Sequence, residues 1–295
     1  MQTQQPPATA PASASAAAPT PLPPPPPPAE TLIFPPSNAT KLTPHLPPPH
    51  LQHNDQDQNQ DPPRRPFVTL TFATSLDSSL SLAPGTRTVL SGPQSKAMTH
   101  HLRAHHAAIL IGVGTAVADD PGLNCLIAGA RSPRPVVVDP RARWALHRDS
   151  KVLQLVRAGQ GLAPFIVTAE REPPAGVAAL LAEHGGRFLF VEAGPETGRF
   201  RWADVFDVLG REGLGSVMVE GGGEVINSLL AEPECGLVDS VIVTIAPTWL
   251  GQGGVVVSPP RTVGEGGRPS APLRLTGVEW HPLGEDVVLC GKILR

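Results

Sequence analysis

The stretch from Ser216 to Leu230, SVMVEGGGEVINSLL, constrains the fold more than any other part of the chain. A short apolar run ends in an acid, Glu220. Three glycines follow, and from Val225 apolar residues recur at helical spacing. That order predicts a strand, a tight turn and a helix. Glycines let backbone N–H groups approach an anion at such a turn, and the new helix points its positive end the same way. A carboxylate at the carboxyl end of a strand stands where open α/β sheets bind their ligands. Alone, the pattern is more often a plain turn, because glycine is the default residue of strained turns.

The rest of the chain divides in two. Twenty of its 37 prolines fall in the first 66 residues, including the run Pro23 to Pro28. That segment has few large apolar side chains and cannot offset its chain entropy by burial. Residues 1–65 are therefore expected to be a disordered proline-rich extension with polyproline II character. Residues 66–295 are enough for one sizeable domain. The net charge of −3 gives no basic excess for a nucleic-acid partner, and no apolar run approaches a membrane span. The N-terminus lacks a charged n-region with an apolar core, which argues against a secretory signal and for a cytoplasmic address. Cys125, Cys235 and Cys290 are isolated, so neither a disulfide framework nor a zinc knuckle is indicated.

From Phe67 the chain alternates between buried-strand and helix patterns. Phe67–Ala73 reads as a strand, Pro93 to about His105 as a helix opened by Ser91-Gly92-Pro93, and Ala107–Gly112 as a strand. In Gly112-Val113-Gly114-Thr115, Thr115 is expected to cap a single helical turn closed by Pro121. Strands are expected at Pro135–Asp139, Pro164–Thr168, Phe188–Val191 and Val238–Ala246. Helices are expected at Gly176–His184 and Trp202–Arg211, with Trp144–Val156 irregular or partly helical. Leu273–Trp280 and Asp286–Leu294 read as a final hairpin after a Gly/Pro-rich loop. This is an α/β pattern: a mostly parallel central sheet with helices on both faces and a C-terminal antiparallel pair.

His101 and His105 are four apart on a helix, a spacing that can chelate a metal, but no third ligand matches, and the expectation is no metal. Histidines near a helix C-terminus also suit its dipole. Asp119 and Asp120 either hold their turn or face a ligand. The chain has no tyrosine, which excludes reductases that use its hydroxyl as proton donor. It contains no Gly-x-Ser-x-Gly elbow and no deaminase zinc signature.

Four segments, taken in order, resemble one family. They are Thr71-Phe72-Ala73-Thr74-Ser75-Leu76-Asp77, Leu102-Arg103-Ala104, Gly112-Val113-Gly114-Thr115 through Asp119-Asp120-Pro121, and Val219-Glu220-Gly221-Gly222-Gly223, followed by Ile245-Ala246-Pro247. They are similar to the riboflavin-biosynthesis reductases, including the reductase half of the bacterial deaminase-reductase. The resemblance implies a dihydrofolate-reductase-like fold, a homodimer, NADPH as cofactor and a phosphorylated ribosylaminopyrimidine as substrate. It places Thr115, Asp119, Val191, Gly221, Gly222, Gly223 and Glu224 against the cofactor. It places Arg103 and Glu220 against the ribose phosphate arm of the substrate, with Glu220 and Asp77 as candidate catalytic acids. Arg141 and Arg143 are candidates for the cofactor 2′-phosphate. The chain departs from the family at Ser78-Ser79, at Leu123-Asn124-Cys125-Leu126, where a basic residue is absent, and at Pro140, where a hydroxyl is usual. Two rival readings are a pterin or folate reductase on the same fold, and a non-catalytic nucleotide-binding module whose proline-rich tail recruits partners.

Overall fold

The computed structural model of the chain describes residues 30–52, 65–195, 197–261, 267–268 and 271–294. A nine-stranded sheet organises it, in the order β10-β11-β8-β1-β7-β3-β4-β5-β6. The strands are β1 (Phe67–Thr74), β3 (Ala108–Gly112), β4 (Arg134–Val138), β5 (Phe165–Thr168), β6 (Arg187–Phe190), β7 (Ser216–Gly221), β8 (Ser240–Ile245), β10 (Leu275–Leu283) and β11 (Asp286–Ile293). Pairing from β8 through to β6 is parallel, and β11 and β10 add an antiparallel pair at one edge. β2 (Ser79–Ser81) and β9 (Val255–Val256) form a separate two-stranded ribbon. The α/β architecture expected from the sequence is present.

Strand alternation sorts the core onto two faces. Val68, Leu70, Ala108, Leu110, Val217, Val219, Val241 and Val243 face one side. There they meet Val205, Phe206 and Leu209 of α6 (Trp202–Arg211) and Val225, Ile226 and Leu229 of α7 (Gly223–Leu230). The intervening residues face the other side, in two clusters. Ile109, Ile111, Val137 and Ile166 pack with Ala116 of α3 (Val113–Asp119), Val152 and Leu153 of α4 (Lys151–Arg157) and Leu181 of α5 (Ala175–Glu183). Met218 and Ile242 pack with Met98 and Leu102 of α2 (Pro93–Ala104) and with Leu42 of α1 (Pro36–Leu42).

Helix α1 corrects the expectation of a structureless extension as far as residue 65. The stretch from Leu32 to Leu51 packs on the domain: Leu42 is buried, Phe34 and Leu46 are partly buried against the same cluster, and the Leu51 carbonyl accepts the Ser216 hydroxyl at 2.6 Å. Proline density misled because these prolines start short helical turns, Pro36 at the first position of α1 and Pro49 in Pro49–Leu51, where a missing N–H is harmless. Residues 1–29 and 53–64, which carry the remainder of that expectation, lie outside the described residues. Within the described part of the long loop, the sequence reading missed β9. The irregular stretch Trp144–Val156 resolves into α4 with its start held by Asp120, whose carboxylate accepts the Lys151 N–H at 3.1 Å. No helix among the described residues is long and apolar enough to cross a membrane.

The histidines around the end of α2 serve structure. His106 is fully buried, with Nδ1 on the Leu102 carbonyl at 2.7 Å and Nε2 on the Thr69 hydroxyl at 2.8 Å. Nδ1 donates to that carbonyl, Nε2 can accept from the hydroxyl, and burial pushes the ring down to about 4, which keeps it neutral at pH 7. Burial, with Arg103 and Lys96 nearby, lowers His100 to about 3, and burial lowers His101 to about 4. No group of three metal-ligating side chains occurs among the described residues. His100 and His106 are buried, and His101 and His105 are partly buried. Each folded value lies below that of the unfolded chain, near 6.5. Stability is therefore present above pH 6.5 and is lost as pH falls from there towards 4. For the fully buried His106 alone, the cost at pH 5 is about 2 kcal/mol. We expect Tm to fall by about 4–8 °C between pH 7 and pH 5, measured by thermal denaturation; an unchanged Tm would contradict this reading.

Candidate active site

The chain leaves the centre of the sheet at β1, builds β3 to β6 outward, and returns to insert β7 between β1 and β3 before adding β8 on the far side. Ligands of open α/β sheets bind at such a reversal, beyond the carboxyl ends of the strands. A cleft of about 960 Å³ lies there, lined by Phe72 and Ala73 of β1, Gly112 of β3, Val138 of β4 with Asp139 after it, and Glu220 of β7.

Glu220 reaches the cleft because of a local irregularity. Leu110 pairs with Val219 and Ile111 with Gly221, so β3 skips Glu220. Such a bulge re-aims a side chain, as is common beside active sites. The carboxylate then meets Arg103, near the end of α2: Nε to Oε1 at 2.7 Å and Nη2 to Oε2 at 2.6 Å, while Nη1 donates to the Asn124 carbonyl at 2.9 Å. The two side chains are 14% and 18% exposed. Burial works against the Arg103 charge, but the charge and hydrogen bonds of Glu220 outweigh it and hold the guanidinium above its ordinary value. Planar bidentate pairing fixes direction as well as energy. Both Glu220 oxygens already accept from Arg103, and their remaining lone pairs suit hydroxyl donors on a ligand.

The two glycine motifs meet in this cleft. Helix α3 begins at Val113 directly after β3, so Thr115 sits inside its first turn rather than capping it; Gly112 holds the cap position without a side-chain bond. The Thr115 hydroxyl instead abuts the turn after β7, where a Cβ on Gly222 would lie 2.9 Å from Oγ1. Gly222 has φ +76° and precedes α7, whose hydrogen bonding starts with Ile226 N to the Gly222 carbonyl at 3.0 Å. The N–H groups of the first helical turn have no intrahelical partner, which leaves those of Gly223 to Val225 for an anion. A Cβ on Gly223 would collide with Val255 of β9 at 2.3 Å, so glycine there lets the β2–β9 ribbon close over the helix start. Gly222→Ala should weaken binding of a phosphate-bearing cofactor about tenfold, since a left-handed residue with a Cβ costs about 1–2 kcal/mol. Direct titration checks this, and unchanged affinity would contradict it.

Other expected residues divide. Asp119 lines the cleft, whereas Asp120 is turned to the start of α4. Glu224 lines it and pairs with Arg199 at 3.1 Å on the surface. Arg141 and Arg143 line it on a turn pinned by buried Asp139, whose Oδ2 accepts the Trp144 N–H at 2.8 Å. Gly221, φ +98°, is buried behind the lining, with a Cβ position 2.6 Å from Ile226. Val191 is packed in the core and is not among the residues lining the cleft. Asp77 lies outside the lining as well. Its carboxylate accepts the Ser75 hydroxyl and the N–H groups of Leu250 and Gly251, at 3.2 and 2.7 Å. The Ser75 hydroxyl, aided by those N–H groups, lowers the Asp77 carboxyl below its usual range, which suits holding the loop after β8 better than donating a proton. Sequence reasoning missed the wall formed by Arg87 with Thr86 and Thr88, and that formed by Arg199 and Phe200. Neither has a motif, and only the fold brings them to the cleft.

The RibD C-terminal domain family matches residues 66–289. The 2,5-diamino-6-ribosylamino-4(3H)-pyrimidinone 5′-phosphate reductase of Eremothecium gossypii is 44% identical over 240 residues, covering 78% of this chain and 89% of the relative. The Saccharomyces cerevisiae protein of that name is 40% identical over 232 residues, 77% and 87% of the two chains. The solved riboflavin biosynthesis reductase Rib7 of S. cerevisiae superposes with a TM-score of 0.69 at 34% identity, over 88% of this chain and all of the other. RibD of Acinetobacter baumannii, at 22% identity and a TM-score of 0.61 over 79% of this chain and 59% of its own, shares the fold. With the domain match running from β1 into β11 and two full-length relatives at this level of identity, the chain belongs to the RibD C-terminal domain family.

Proposed function

We propose that the chain is the NADPH-dependent reductase that converts the ribosylamino side chain of 2,5-diamino-6-ribosylamino-4(3H)-pyrimidinone 5′-phosphate into the ribitylamino product, a step of riboflavin biosynthesis. Its relatives carry the name of that reductase. The observation that carries the reading is Glu220, aimed by a bulge into a cleft whose other wall is a glycine turn at a helix start, and held there by Arg103, which lies behind the lining.

A dinucleotide fits the residues present. Gly222, Gly223 and the first turn of α7 would take its pyrophosphate, Thr115 and Asp119 would flank it, and Arg141 and Arg143 would meet a 2′-phosphate. When bound, the nicotinamide supplies a hydride to C1′ of the opened sugar. The chain's own residues position and shield that carbon. Arg103 is a cation for the phosphate arm, and Glu220 accepts ribose hydroxyls, fixing the sugar relative to the cofactor. Holding the reacting atoms about 3–3.5 Å apart with water excluded supplies most of the rate gain, so little side-chain chemistry is needed. Glu220, committed to Arg103, orients the substrate. The proton for the imine nitrogen or ring oxygen then comes from water or from the substrate's own hydroxyls. The enzyme acts in the cytoplasm as a homodimer in this reading.

The test is loss of NADPH absorbance with freshly made substrate. Turnover with NADPH well above that with NADH supports the proposal, and no loss with either cofactor would sink it. A folate analogue should not protect the site, which separates this activity from a pterin or folate reductase.

A further inference from the structure

Arg103 is fixed from two sides, and one of them is braced by the segment that composition alone assigns to a structureless tail. Its guanidinium bridges from Glu220 to the carbonyl of Asn124 at 2.9 Å. That carbonyl belongs to an irregular stretch, Asn124 to Ile127, which needs bracing if it is to hold a side chain still. Helix α2 braces one side: Leu126 N–H donates to His100 Nδ1 at 3.1 Å, and the Cys125 thiol donates to the His100 carbonyl at 3.2 Å. The N-terminal segment braces the other. Leu32 N–H donates to the Leu126 carbonyl at 2.9 Å, and Leu32 forms a parallel bridge with Ile127. Two residues on, the Phe34 ring returns to α2 and lies 4.9 Å from the His101 ring, one helical position from His100 and two from Arg103. The His101 ring in turn lies 4.3 Å from that of His105, tilted by 50°. Leu32 to Phe34 thus ties the Asn124–Ile127 stretch to the helix just before Arg103.

We propose that Leu32–Phe34 is a positioning element of the substrate site, holding the Asn124–Ile127 stretch against α2 so that Arg103 keeps the orientation that fixes Glu220 and the phosphate arm of the substrate. This rests on the reading of Arg103 and Glu220 as substrate residues. Neither Leu32 nor Phe34 lines the cleft, so both act through Arg103. A misaimed guanidinium loses the planar contacts it can offer a phosphate, which weakens its hold on the substrate and raises KM. Leu32, Phe34 and the Asn124–Ile127 stretch belong to none of β3, α3, β7 and α7, the elements that build the cofactor wall.

The experiment is steady-state kinetics on the full-length chain, with NADPH affinity measured separately by titration. Phe34→Ala should raise KM for the ribosylaminopyrimidine phosphate about tenfold while changing kcat and NADPH affinity by less than about twofold. Phe34→Tyr, which keeps the ring, should restore KM. Leu32→Pro, which removes the N–H and keeps an apolar side chain, should give the same split, and it decides the matter if Phe34→Ala does not fold. In an Arg103→Met background, Phe34→Ala should add no further loss, because the two act through one group. A lowered Tm with unchanged KM, an equal loss of NADPH affinity, or additive losses in the double variant would each overturn the proposal. Absence of NADPH turnover by the unaltered chain would instead sink the functional reading itself.

Discussion

Glu220→Gln is expected to lower kcat/KM for the ribosylaminopyrimidine phosphate by about a hundredfold while leaving NADPH affinity nearly unchanged. Breaking one half of a fully buried ion pair costs about 3–5 kcal/mol. At 14% and 18% exposure the Arg103–Glu220 pair keeps some water, so about 3 kcal/mol is the better figure. The loss has two sources. Arg103 is left beside a neutral amide that can accept through only one oxygen, so its planar alignment goes. The amide nitrogen also presents donors where ribose hydroxyls need an acceptor. The phosphates of the cofactor rest on backbone N–H groups of α7 in this account, and these do not depend on Glu220. Kinetics and a cofactor titration on the same preparation separate the two effects. A variant that loses NADPH affinity but keeps its substrate KM would reverse the assignment of the two walls.

Removal of residues 1–52 should lower Tm by about 10 °C, whereas removal of residues 1–29 should leave both Tm and turnover unchanged. The difference lies in what the second cut exposes. Leu42 is 2% exposed and completes a cluster with Met98, Leu102, Met218, Leu283 and Val288, and Phe34 and Leu46 cover its edge. One fully buried and two partly buried side chains contribute about 4 kcal/mol. The cut also strips Leu51 from Ser216, whose hydroxyl accepts the Ala107 N–H at the point where β3 and β7 begin. Residues 1–29 are the proline- and alanine-rich part, with little apolar surface to bury. Thermal denaturation of the two truncated chains beside the full one checks this. Loss of activity in the shorter truncation would favour the recruitment reading of the tail. Equal Tm values for all three would mean that the segment from Leu32 to Leu51 contributes nothing.

The parts of this molecule that were legible in its sequence are those where one local pattern admits one structure. Val136-Val137-Val138 and Val217-Met218-Val219 can only be strands buried on both faces, and Trp202 to Arg211 shows a helical apolar stripe that α6 follows residue for residue. The glycine turn after Glu220 and the Gly-x-Gly-Thr turn after β3 were visible as motifs. That Thr115 touches Gly222 was not, because their contact depends on β7 being inserted beside β3. The aim of Glu220 rests on a register shift that sequence does not record. Val191 and Asp77 were named from a family position alone, and the local chain packs one in the core and ties the other to a neighbouring loop, neither of which a motif records. The stretch from Leu32 to Leu51 was misjudged because composition averages over the segment that contains it. Five spaced apolar residues, Leu32, Phe34, Leu42, Leu46 and Leu51, are too sparse to raise the mean but sufficient to dock.

The central claim is that the cleft brings a nicotinamide dinucleotide on the Gly222–Gly223 turn within reach of C1′ of a sugar held by Arg103 and Glu220. NADPH deuterated at both C4 positions tests it most directly, with the product analysed by mass spectrometry and proton NMR. The account predicts one deuterium per product molecule, located at C1′ of the ribityl chain, with the phosphate and the pyrimidine amino groups intact. A product without deuterium, or with the label at any other carbon, would contradict it.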